Sequence, residues 1–202
     1  VIDLPALAKL FQDPSMFDSR EHWQKAGFFV MREGNKSDVM VASHPTITDY
    51  LFKKYNRSVD LKDQRRNYKT RIEGADAVRE RIQKKGLPKL VVPRKYLLPL
   101  PAAFERKGRR AYVLVVERME LVKDAESKRL YGNVSDETIR QLCTMVRKYP
   151  GLDSDVRNLP FTTSGKIAFI DTERWQRYDM PTLKYICQYL PKRQCNLVKE
   201  LL

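Results

Sequence analysis

Long hydrophobic runs are absent from this sequence: nothing approaches the roughly 18 consecutive apolar residues of a membrane span, so no transmembrane segment is expected. No basic stretch followed by an apolar segment reads as a signal peptide. Histidine and cysteine are scarce. His22 and His44 are the two histidines, and Cys143, Cys187 and Cys195 are the three cysteines, which argues against a metal-ligand cluster of these residues. The sparse, odd cysteine set fits reduced thiols in a cytosol. No internal repeat, low-complexity tract or G-x-G-x-x-G is present. What the chain does hold is enough apolar content, 42%, to bury a substantial core over 202 residues, most simply as one domain of two small lobes.

Charge is also lopsided. Acidic residues number 25 against 39 Lys and Arg, and residues 52 to 110 alone hold 19 of those cations against 6 carboxylates. Such density is either a solvated surface or an attractor for an acidic or polyphosphate partner. Aromatics such as Tyr68 and Tyr96 are sparse among these charges and do not interleave with them as in a base-stacking platform, so nucleic acid is disfavoured.

The most informative spacing lies farther on. Asp153 and Asn158 stand five residues apart in GLDSDVRN, and Asp171 ends the apolar run KIAFID thirteen residues beyond Asn158. Leu159, Pro160 and Phe161 read as one arm of a hairpin, Thr162-Thr163-Ser164-Gly165 as its turn, and Lys166 to Ile170 as the second arm, which delivers Asp171. Phosphoryl transfer needs one carboxylate at an acceptor hydroxyl, and an amide oxygen with a second carboxylate on magnesium beside the nucleotide phosphates. Two short loops flanking a hairpin supply that set. Asp and Asn are also ordinary turn residues, so the pattern gains weight only from what precedes it. Lys53 closes the strand-like YLFKK, and Glu73 lies near the start of the helical stretch RIEGADAVRERIQKKG.

On these residues the chain resembles the protein-kinase-like superfamily, which includes aminoglycoside and other small-molecule phosphotransferases. The resemblance covers roughly residues 27 to 173 and rests on short motifs and their order. Gly151 replaces the histidine of the H-x-D-x-x-x-x-N loop, and Asp171-Thr172-Glu173 stands where D-F-G is usual. Asp155 stands where serine/threonine kinases usually carry a lysine. The resemblance implies an α+β, two-lobe fold, with an antiparallel-sheet N-lobe over about 1–117 and a reduced helical C-lobe over 118–202. It implies ATP and Mg²⁺ as cofactors, Asp153 as catalytic base, and Asn158 and Asp171 as metal ligands. Lys53, paired with Glu73, binds phosphates. The same resemblance implies that Val116 limits the back of the adenine pocket and that the Glu117 carbonyl and the Met119 N–H bond the adenine edge.

The remaining segments read in the same order. GFFVMREG, DVMVASHP and DYLFKKY form three strands, with Gly34-Asn35-Lys36-Ser37 as a turn able to cover phosphates and His44-Pro45 as a strand terminator. KLVVPRKYLLPLP and RAYVLVVERMEL read as two apolar strands, and SDETIRQLCTMVRKY as a capped helix ended by Pro150-Gly151. MPTLKYICQYL and CNLVKELL read as two short closing helices. Three functions stay open: a kinase, a pseudokinase or nucleotide-binding regulatory module, and a nucleic-acid-binding protein whose Asp and Asn only make turns. For a kinase, the short stretch after Asp171 favours a protein acceptor over a small molecule. The resemblance extends by analogy to compact bacterial effectors, so the cytosol expected is the cell's own or a host's.

Overall fold

The structure, a computed structural model, describes residues 2–17, 19–33, 39–55, 60–177 and 183–202. Its elements are α1 (Leu4–Ala8), α2 (Arg20–Lys25), β1 (Phe29–Glu33), β2 (Val39–His44), β3 (Ile47–Tyr55), α3 (Leu61–Lys85), β4 (Leu90–Val91), β5 (Lys95–Pro99) and β6 (Tyr112–Glu117). The chain continues with α4 (Asp124–Tyr131), α5 (Asp136–Lys148), β7 (Ile167–Ala168), α6 (Lys184–Cys187) and α7 (Lys192–Leu201). The class is α+β. Two compact units form, Val1–Lys69 with Lys95–Arg118 and Thr70–Arg94 with Met119–Leu202, and the division falls inside α3 after Lys69. No helix among the described residues is long and apolar enough to cross a membrane.

The first unit is built on a five-stranded antiparallel sheet in the order β1-β2-β3-β6-β5. Side chains alternate across it. Met40, Ala42, Phe52, Leu98, Val113 and Val115 face one side, where Leu7, Phe11, Met16, Trp23 and Phe28 cover them. Phe11 is the hub of that cover, with its ring 5.4–5.9 Å from those of Trp23, Phe28 and Phe52. Lys53 sits next to Phe52 and so belongs to the opposite face, in register with Val41 and Leu114 on the flanking strands. Phe11→Ala is expected to cost about 3–5 kcal/mol, the scale for deleting a buried aromatic. Urea unfolding followed by tryptophan fluorescence checks it, and a loss below about 1 kcal/mol contradicts the hub role.

The second unit is organised around α5, where Ser135 Oγ accepts the Thr138 N–H at 3.2 Å and Ile139, Leu142, Cys143 and Val146 are buried. That is the helix and the face its sequence pattern indicates. β4 and β7 pair in parallel, and the hairpin beyond Asn158 forms, with Thr162 N–H bonding Lys166 O and Ala168 N–H bonding Pro160 O. Two buried side chains of α4 hold the hairpin's first arm. The Tyr131 hydroxyl donates to Leu159 O at 2.6 Å, and Ser127 Oγ accepts the Phe161 N–H at 3.1 Å.

Several elements differ from the sequence reading. KLVVPRKYLLPLP is two strands, because Pro93 lacks the N–H to continue a ladder and β4 and β5 join different sheets. α3 begins ten residues before Arg71, at Leu61. There Asp60 Oδ1 accepts the Lys62 N–H at 2.7 Å, and Gln64 and Tyr68 extend the buried stripe at helical spacing. β6 stops at Glu117, and α4 and the N-terminal helices were not anticipated from the pattern. β2 does end at His44, as the following proline indicates. The turn Gly34-Asn35-Lys36-Ser37 lies outside the described residues.

Candidate active site

The loop from Pro150 to Leu159 follows α5 and carries the first two candidate residues. Asp153 Oδ1 accepts the Asp155 N–H at 3.0 Å, and its Oδ2 accepts a hydrogen bond from Asn158 Nδ2 at 2.8 Å. The Asn158 amide nitrogen is thereby engaged as a donor, which leaves Oδ1 as the side chain's acceptor. Asn158 O in turn accepts the Ile170 N–H at 3.1 Å across the hairpin, so Asp171 begins directly beside Asn158. One continuous hydrogen-bonded path thus gathers Asp153, Asn158 and Asp171. Asp171 Oδ1 also accepts the Glu173 N–H at 3.1 Å, a turn that fixes the carboxylate at the end of the second arm.

Two aspartates compete in this loop, and their partners separate them. Asp155 is held by Arg157, whose Nε and Nη2 donate to its two oxygens at 2.9 and 2.8 Å. This fork keeps the Asp155 carboxyl below the ordinary aspartate range. The pair therefore persists at neutral pH and is released only as pH falls through that lowered value. Asp153 has no ion pair among the described residues and is half-buried.

Glycines explain how the loop and the Asp171 segment come so close. A Cβ on Gly151 would lie 1.9 Å from Arg174 O and 2.5 Å from Arg177 O. Position 151 therefore has no room for any side chain. Gly74, in the middle of α3, meets the same segment from the other direction, with a Cβ there 2.3 Å from Thr172 O. Gly151→Ala is expected to displace residues 174–177 and to cost at least about 1–3 kcal/mol, because the obstacle is backbone rather than a movable side chain. A thermal midpoint unchanged from wild type contradicts that packing.

α3 is tied to the Asp171 segment by Arg71. Arg71 pairs with Glu173 in a partly buried ion pair, and Arg71 O accepts the Thr172 hydroxyl at 2.7 Å. Glu73 is exposed and makes no hydrogen bond or ion pair among the described residues. Sequence reasoning missed Arg71 and Gly74. The available signal was Gly74 itself, since a mid-helix glycine costs about 1 kcal/mol relative to alanine and calls for a packing reason.

The other sequence-derived residues fall in order along the chain. Lys53 is half-buried on β3, Val116 is buried near the end of β6, and Glu117 is that strand's exposed last residue. Arg118 N–H bonds Asp49 O at 2.7 Å, and Met119, half-buried, begins the second segment of the second unit. From there residues 120–122 join the hairpin: Thr163 N–H bonds Glu120 O and Val122 N–H bonds Phe161 O. Among the described residues no three His, Cys, Asp or Glu side chains gather as a metal cage. Magnesium needs none, since it is commonly held by one or two carboxylates, waters and substrate phosphates. No family model and no curated protein matches the chain.

Proposed function

We propose that the chain is an ATP- and Mg²⁺-dependent phosphotransferase of protein-kinase-like type, acting on a hydroxyl of a protein. The observation that carries this reading is the hydrogen-bonded path joining Asp153, Asn158 and Asp171 through the hairpin. Asp153 orients the acceptor hydroxyl and takes its proton as the new O–P bond forms, while the bond from the γ-phosphorus to the β–γ bridging oxygen breaks and ADP leaves. Asn158 Oδ1 and the Asp171 carboxylate would hold Mg²⁺, which supplies charge neutralisation at the phosphates. Lys53 binds the phosphates, and the backbone of Glu117 and Met119 binds adenine; these roles rest on the resemblance and on residue order.

A second reading, a pseudokinase or nucleotide-binding regulatory module, is favoured by one observation. Gly151 stands where the superfamily's catalytic loop carries histidine, a departure from the pattern of an active kinase. Incubation with γ-labelled ATP and Mg²⁺, with and without cell lysate, separates the two. Labelled protein bands that require the chain support transfer, and nucleotide binding without any label supports the second reading. Label appearing only in small molecules overturns the protein acceptor.

A further inference from the structure

We propose that Cys187 and Cys195 form a reversible dithiol–disulfide pair, oxidised to an intramolecular disulfide by small-molecule disulfides such as oxidised glutathione. Both belong to the second unit and both are free thiols. Cys187 is the last residue of α6 and Cys195 lies in the first turn of α7, with seven residues between them. Tyr189 N–H bonds Ile186 O at 2.9 Å and Leu190 N–H bonds Cys187 O at 3.3 Å, a turn that leads into Pro191, the N-cap of α7. Cys195 N–H then bonds Pro191 O at 3.0 Å. Across this turn the two thiols lie side by side, close enough for a hydrogen bond between them. Ile186, Leu190 and Val198, all buried, fix both helices against the second unit's core, so packing holds the thiols together.

Their surroundings give the two thiols different roles. Cys187 is half-buried, and burial together with the neighbouring Cys195 thiol pushes its own thiol up to about 12, so it stays protonated at neutral pH. Cys195 therefore attacks first. Its thiolate attacks one sulfur of oxidised glutathione, a new S–S bond forms, and the other half leaves as a thiolate that takes up the proton Cys195 lost. The Cys195 thiol is consumed in this mixed disulfide, which removes a neighbour that held Cys187 protonated. Cys187 then loses its proton, attacks the Cys195 sulfur and displaces the second glutathione thiolate, which is protonated in its place. Two protein thiols are thereby oxidised to one disulfide, and one glutathione disulfide is reduced to two thiols. Cys143 stays out: it is 1% exposed on α5, and burial pushes its thiol up to about 11.

The test equilibrates the full chain, folded and in urea, in anaerobic glutathione buffers of stepped reduced-to-oxidised ratio, then blocks the remaining thiols and reads tryptic peptides by mass spectrometry. Trypsin cuts after Lys192 and Arg193, between the two cysteines, so their disulfide joins two peptides. Folded wild type is expected to give the 187–195 link with Cys143 blocked as a thiol. Its equilibrium constant is expected to exceed that in urea at least about tenfold, because the fold raises the effective concentration of one thiol at the other. Cys187→Ser is expected to stop at the glutathione adduct on Cys195, and Cys195→Ser to leave Cys187 blocked as a thiol. The wild-type measurement stands even where a serine variant fails to fold. The inference is overturned if all three cysteines stay thiols, if the link joins Cys143, if glutathione adducts accumulate in place of the link, or if the folded and unfolded constants are equal. Equal constants would leave the pair as small apolar packing groups only. A glutathione adduct on Cys187 in Cys195→Ser contradicts the order of attack.

Discussion

Asp171→Ala is expected to lose all magnesium-dependent stabilisation by ATP, together with all transfer. The structure ends the second hairpin arm at this carboxylate and sets it beside Asn158 through the Ile170 N–H to Asn158 O bond. An amide oxygen alone is a weak ligand for a hard dication, so removal of the carboxylate leaves nothing charged to hold the metal at the phosphates. Ligand linkage sets the size of the effect: at a nucleotide concentration of about 100 Kd, wild type gains about 2.7 kcal/mol. The variant gains close to none. Thermal unfolding of both proteins with ATP, with and without Mg²⁺, measures the difference directly, and equal gains would sink the metal assignment.

Asp153→Ala is expected to keep nucleotide binding and to lose transfer by about 10²-fold or more, the scale of a missing positioned acid–base group. Asp155→Ala serves as its internal comparison. Arg157 holds both oxygens of Asp155, whereas the donors to Asp153, the Asp155 N–H and Asn158 Nδ2, are neutral. Removal of Asp155 frees an exposed arginine and changes little at the acceptor. Steady-state transfer rates for the two variants decide the matter, and the opposite ranking shifts the base by two residues.

How far the sequence carried depended on the range of the forces involved. α5 was legible because its cap at Ser135 and its stripe Ile139, Leu142, Cys143, Val146 are local, and the hairpin because its turn residues Thr162 to Gly165 declare it. β1, β2 and β3 alternate plainly enough to be found. The N-terminal cover was not, since Leu7, Phe11, Met16 and Trp23 lie in or between helices of six residues or fewer, too short to declare a period, and acquire meaning only against the sheet. Arg71 and Glu173 are 102 residues apart, and no spacing rule links them. Gly151 looked like a departure from the H-x-D pattern; in three dimensions it is a contact with residues 174 and 177 that admits no side chain. The Pro150–Leu159 loop was thus readable in its polar residues and opaque in its glycine.

The central claim is that Asn158 and Asp171, bonded in sequence to Asp153, form one metal–nucleotide site. Mn²⁺·ATP titrated into isotope-labelled protein tests it most directly, because the paramagnetic ion broadens the nearest resonances first. The account predicts that the Asn158 side-chain amide and the Ile170 and Asp171 backbone amides broaden at substoichiometric metal in wild type and stay sharp in Asp171→Ala. Broadening centred elsewhere on the chain, or the same broadening in Asp171→Ala, would contradict it.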